Sequence, residues 1–152
     1  MEEKIVSTLL EKKWTITTAE SCTAGLISGT LVNVAGSSKV FGEAYVTYSN
    51  NSKIKLLNVK KETLEKYGAV SAEIAQEMAK GAAYAASAEV AISATGIAGP
   101  DGQTPEKPLG LVYIGLHICG HTTALKCNFS GNRKEIRLKT VENALRFLLE
   151  NL

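Results

Sequence analysis

Ser21 lies in Thr18-Ala19-Glu20-Ser21-Cys22-Thr23-Ala24-Gly25, where the β-branched run Trp14-Thr15-Ile16-Thr17-Thr18 gives way to Leu26, Ile27, Thr30, Leu31 and Val34 at helical spacing. A serine at a strand-to-helix junction has two readings. It caps the helix, or its hydroxyl attacks an electrophilic carbon beside unpaired N–H groups and a helix dipole that stabilise the oxyanion. Attack requires a base. The two histidines, His117 and His121, fall around a predicted hairpin turn away from Ser21, and no G-x-S-x-G elbow is present. Lys53, in the predicted loop Ser49-Asn50-Asn51-Ser52-Lys53 after a second predicted strand, is the alternative. A free lysine is neutral at pH 7 only about one time in 2500, so a Ser-Lys dyad works only if the fold lowers the lysine pKa by several units. Taken alone, a lysine is most often a solvated surface residue.

Other residue groups have similarly divided readings. Thr95-Gly96-Ile97-Ala98-Gly99-Pro100-Asp101-Gly102 matches neither the dinucleotide nor the P-loop pattern. Its glycines would let the backbone approach a ligand and offer N–H groups to a phosphate or oxyanion, or the segment simply joins two strands. Gly36-Ser37-Ser38 is a second candidate anion site with the same alternatives. Cys22 is a possible nucleophile without a histidine partner, and a buried thiol is the commoner case. His117, Cys119 and His121 alternate as zinc ligands on a strand would, but a fourth ligand is missing and a turn through Gly120 breaks the alternation. These three are expected on an exposed hairpin surface. Arg133, Lys134, Arg137 and Lys139 form a basic face, read as solvated surface rather than as a clamp for an anionic substrate.

The elements that must position these groups alternate along the chain. Helices are expected over about 2–13 and 22–34, strands near 14–19 and 44–48, a short helix over 62–67 and an alanine-rich helix opening at Ser71. A buried strand at 90–94 precedes the glycine-rich loop, a hairpin spans 111–118 and 122–129, and a final helix follows Asn132. This order implies a single α/β domain over 1–152, a layered sandwich with a mixed sheet flanked by helices. Ser21, Lys53 and the glycine-rich loop each follow a strand, and ligands in such sheets bind outside the carboxyl ends of strands. A net charge of +2 with 21% charged residues gives no field suited to nucleic acid. No apolar run suits a membrane span or secretory signal, and three scattered cysteines suit a reducing compartment, so a cytoplasmic protein is expected.

Together the motifs resemble the C-terminal domain of the bacterial competence/damage-inducible protein CinA and its stand-alone nicotinamide mononucleotide deamidases. The resemblance is carried by Thr18 to Gly25, Ala35-Gly36-Ser37-Ser38, Val46-Thr47-Tyr48-Ser49-Asn50 with Lys53, and Gly68-Ala69-Val70-Ser71. It continues through Gly96 to Gly102, Lys107-Pro108-Leu109-Gly110 and Phe129-Ser130-Gly131-Asn132-Arg133, covering nearly the whole chain in the family's order. Gln103, where glycine is common in the family, departs from the pattern. The resemblance implies hydrolysis of the carboxamide of nicotinamide mononucleotide to nicotinic acid mononucleotide and ammonia. By the same likeness Ser21 is the nucleophile, Lys53 the base and Tyr48 an active-site tyrosine. Cys22, Thr23, Gly36, Ser37, Thr95, Gly96 and Arg137 fall at substrate-side positions. The family uses no metal or organic cofactor and usually forms homodimers. Two alternatives remain: a pyridine-nucleotide-binding module without turnover, and an amidase for another amide.

Overall fold

The computed structural model describes all 152 residues. Its elements are α1 (Glu2–Lys12), β1 (Ile16–Glu20), α2 (Leu26–Val32), β2 (Tyr45–Val46), α3 (Asn50–Leu57) and α4 (Lys61–Tyr67), followed by α5 (Ala72–Ala86), β3 (Val90–Gly96), β4 (Leu111–Ile118), β5 (His121–Asn128) and α6 (Arg133–Asn151). A 3-10 turn at Ser37–Lys39 links α2 to β2. The five strands form one mixed sheet in the order β2-β1-β3-β4-β5, the expected α/β sandwich.

Central β1 is buried at every position, and β3 at all but Gly96, as befits strands covered on both faces. One apolar cluster joins α1, α2 and α6 to the sheet through Ile5, Leu9, Ile27, Ile92, Ile114 and Leu148. A smaller one, with Leu57, Leu64, Ile74 and Met78, seats α3, α4 and α5 on the opposite face. There α5 lies very close to its neighbours: a Cβ on Gly115 would sit 2.1 Å from the Ala75 carbonyl oxygen, and one on Gly81 would sit 2.0 Å from that of Leu57. Both approaches require glycine, and the second fixes how deeply α3 is seated.

β1 pairs in parallel with β2 (Glu20 opposite Val46) and with β3 (Glu20 opposite Ala94). The chain therefore leaves all three strands at one edge of the sheet, which brings residue 21, the segment after Val46 and the loop after Gly96 together.

Four local expectations need correction. The helix expected from residue 22 begins at Leu26, because Ala24 (φ 51°) and Gly25 (φ 95°) hold left-handed conformations that a helix cannot include. The segment from Asn50 read as loop is instead α3, capped by the Ser49 hydroxyl, which accepts the Ser52 N–H. The second strand is only two residues long. His117 is 4% exposed rather than on an open surface; one ring nitrogen pairs with the Thr122 hydroxyl at 2.7 Å and the other accepts the Gly120 N–H at 3.3 Å.

Candidate active site

Ser21 directly follows the last residue of β1, and its N–H donates to the Ala94 carbonyl of β3 at 2.9 Å. This bond fixes where the side chain leaves the sheet but commits the amide that an oxyanion would otherwise use. Glu20, fully buried, shapes the turn beyond. Its carboxylate accepts the N–H groups of Gly25, Ile27 and Ser28 and the hydroxyls of Ser28 and Thr18. Glu20 thus caps α2 in place of Ser21. Arg137 braces the same turn from α6, donating through Nε to the Cys22 carbonyl and through Nη2 to that of Thr23, both at 2.9 Å. The N–H groups of Cys22, Thr23 and Ala24 make no hydrogen bond within the chain.

Lys53 projects from the first turn of α3 and is 1% exposed. Its Nζ is 3.1 Å from Ser21 Oγ, 2.8 Å from the Thr47 carbonyl oxygen and 3.4 Å from that of Tyr48. Burial lowers its pKa from 10.5 to about 8. The partners also set a direction. A neutral amine has two N–H bonds and one lone pair, and the two carbonyls can only accept. Ser21 is the one partner able to donate back, so deprotonated Lys53 turns its lone pair toward the Ser21 hydroxyl.

Ser21, Lys53, Tyr48, Cys22, Thr95 and Gly96 border one cavity of about 210 Å³. The Thr95 hydroxyl donates to the Ala69 carbonyl at 2.8 Å, tying the end of β3 to the segment before α5. Tyr48 is 59% exposed at the mouth, where its hydroxyl accepts from Arg133. Burial pushes the Cys22 thiol up to about 12, leaving it protonated and unreactive near neutrality.

Four of the expected substrate residues stand elsewhere. Gly36 and Ser37 form the turn after α2 and do not line the cavity. Thr23 is fully buried beneath the turn, and Arg137 faces backbone carbonyls because the turn exposes them to it. Asn50, Ala69, Val70 and Arg133 do line it. Arg133 stood in the basic run of the sequence, Asn50 lies in the helix misread as loop, and Ala69 and Val70 stood in the Gly68–Ser71 motif without a site role. A larger hollow of about 520 Å³ between α3 and α5 contains neither Ser21 nor Lys53. No three His, Cys, Asp or Glu side chains are grouped to hold a metal ion, and no helix is long and apolar enough to cross a membrane.

Fold and site together define an α/β domain in which adjacent parallel strands present a serine next to a buried lysine. A family model, the CinA C-terminal domain, matches residues 1–152, and the chain belongs to that family. A structure of the competence/damage inducible protein CihA from Agrobacterium tumefaciens is similar, with a TM-score of 0.95, 42% identity and coverage of 98% of this chain and 92% of that one. So is a competence-damaged protein (CinA) superfamily protein from Escherichia coli, with a TM-score of 0.95, 35% identity and coverage of 100% and 91%. A Clostridium botulinum (strain Okra / Type B1) protein, described by name as competence-damage inducible, is 57% identical over 152 residues. The chain spans only 37% of that relative's length.

Proposed function

We propose that this domain hydrolyses the carboxamide of nicotinamide mononucleotide by acyl transfer through Ser21 and Lys53. The observation that carries the reading is the buried Lys53 Nζ 3.1 Å from Ser21 Oγ with its pKa lowered to about 8. At pH 7 such a lysine is neutral about one time in ten, against about one in 2500 for an unperturbed one. Neutral Lys53 takes the Ser21 proton as the oxygen attacks the amide carbon. The undonated Cys22 N–H supports the oxyanion, since the Ser21 amide is held by Ala94. The lysine proton then passes to the departing nitrogen, ammonia leaves, and the nicotinoyl group remains as an ester on Ser21. Water, deprotonated by Lys53, cleaves the ester and restores the serine. The substrate is proposed from the family resemblance, as are a homodimeric assembly and the lack of any cofactor requirement; a cytoplasmic setting is proposed from the composition and the three scattered cysteines.

Incubating the protein with nicotinamide mononucleotide and measuring ammonia and nicotinic acid mononucleotide tests the reading. Equimolar formation of both is expected. Binding of the nucleotide without product would replace this reading with a binding module, and neither binding nor product would point to another amide.

A further inference from the structure

The hollow of about 520 Å³ between α3 and α5 is larger than the Ser21 cavity and arises from the way these two helices meet. Gly81 of α5 seats against the Leu57 carbonyl at the end of α3. Beyond that contact the chain turns through Asn58 (φ 54°) and leaves along α4 from Lys61, which opens a recess. Its wall is largely apolar: Leu57 is buried, while Leu56 (44% exposed) and Tyr84 (67% exposed) keep large apolar surfaces open beside Ala85. Three charged residues line it. Glu77 is committed, since one carboxylate oxygen accepts the Lys60 N–H at 2.8 Å and the other the Thr63 hydroxyl at 2.6 Å, tying α5 to the start of α4. Lys60 and Lys80 have no carboxylate partner, and the Lys80 ammonium lies 5.8 Å from the centre of the Tyr84 ring. No serine, cysteine or histidine borders the hollow, so its residues suit binding rather than bond cleavage.

We propose that this hollow is a second ligand site, for a small molecule that combines a flat aromatic ring with a negatively charged group. The ring stacks on Tyr84 and covers Leu56 and Leu57, and the ammoniums of Lys60 and Lys80 take up the charged group. A mostly apolar cleft of roughly 300–1,000 Å³ with a few polar groups is the usual form of a small-molecule pocket. Two free cations beside one engaged carboxylate favour an anion over a cation, and a neutral ring would leave both ammoniums without a partner. The site stands apart from Ser21 and Lys53, so its occupancy does not depend on the amide-hydrolysis reading.

The probe is anilinonaphthalene sulfonate, a flat aromatic anion whose fluorescence rises when it leaves water. Titrated into the wild type, it is expected to bind saturably at one site per chain. Lys80→Glu, which reverses the charge, should weaken binding on the order of tenfold, and Tyr84→Ala should weaken it about 3- to 10-fold. Lys80→Arg, which keeps the charge, should stay within about twofold of the wild type. Both positions are exposed, and thermal unfolding checks that the variants are folded. Absence of saturable binding by the wild type, or unchanged affinity in either Lys80→Glu or Tyr84→Ala, would overturn the proposal. So would an affinity that falls as protein concentration rises while light scattering shows a two-chain species, since the hollow would then be covered by a second copy. Failure to hydrolyse nicotinamide mononucleotide would reject the proposed reaction and leave these outcomes unaltered.

Discussion

The carboxylate of Glu20 accepts both the backbone N–H and the hydroxyl of Ser28, eight residues further along the chain. With Gly25 and Ile27 also donating to it, the turn that presents Ser21 is built around this buried group. Glu20→Ala removes the acceptor for three amides and should lower stability by about 2–4 kcal/mol in denaturant unfolding, with turnover falling as the turn loosens. A loss below about 0.5 kcal/mol, the usual scale of a surface change, would show that the carboxylate does not hold the turn.

Because Lys53 acts as a base only when neutral, kcat/KM should climb about tenfold per pH unit below 8 and level off above it. Lys53→Arg, which stays protonated across that range, should be inactive throughout. A flat profile between pH 6 and 9, or an active arginine variant, would remove Lys53 from the base role.

The same burial makes stability depend on pH in a definite direction. Below pH 8 the lysine is charged whether the chain is folded or unfolded, and folding carries a desolvation cost of about 3 kcal/mol. Between pH 8 and 10.5 the unfolded chain holds more protons, so native stability rises with pH. Urea unfolding of the wild type and of Lys53→Met should therefore show the wild type gaining about 2 to 3 kcal/mol relative to the variant between pH 7 and pH 10. A constant difference would mean that the pKa of Lys53 is unchanged by folding.

Cys22 sits beside the nucleophile, yet its thiol is buried and held protonated. Its proposed contribution is the backbone N–H, which Cys22→Ala retains. That variant should keep turnover within about a factor of ten of the wild type, a cost no larger than the modest repacking of a small buried side chain. Iodoacetamide near neutral pH should label exposed Cys119 without inactivating the protein. Loss of activity in step with labelling of Cys22 would assign it a chemical role.

Much of this site was legible locally because strand signals and parallel order alone bring the segments after β1, β2 and β3 to one edge. Residues 16–20 and 90–96 carry the apolar and β-branched character that buries them, and the hairpin around Gly120 is marked by its turn residues. What was not legible depends on partners distant in sequence. Glu20 reads as an ordinary polar residue until the turn folds back onto it, and Arg137 looks solvated until α6 packs beside Cys22 and Thr23. The polar opening of α3, Asn50-Asn51-Ser52, resembles a loop because its helix is stabilised by the Ser49 cap and by seating Leu57 against α5 rather than by intrinsic propensity. His117 gives no local sign that β5 and the Gly120 turn will enclose it.

The central claim is that Ser21 Oγ, activated by Lys53, forms the bond to the substrate. It is tested most directly by ammonia release from nicotinamide mononucleotide by the wild type and by Ser21→Ala, with both shown by circular dichroism and thermal unfolding to be equally folded. Release by the wild type and none above the uncatalysed rate in the variant is the expected result. Comparable release by Ser21→Ala would contradict the claim and move the chemistry to another group.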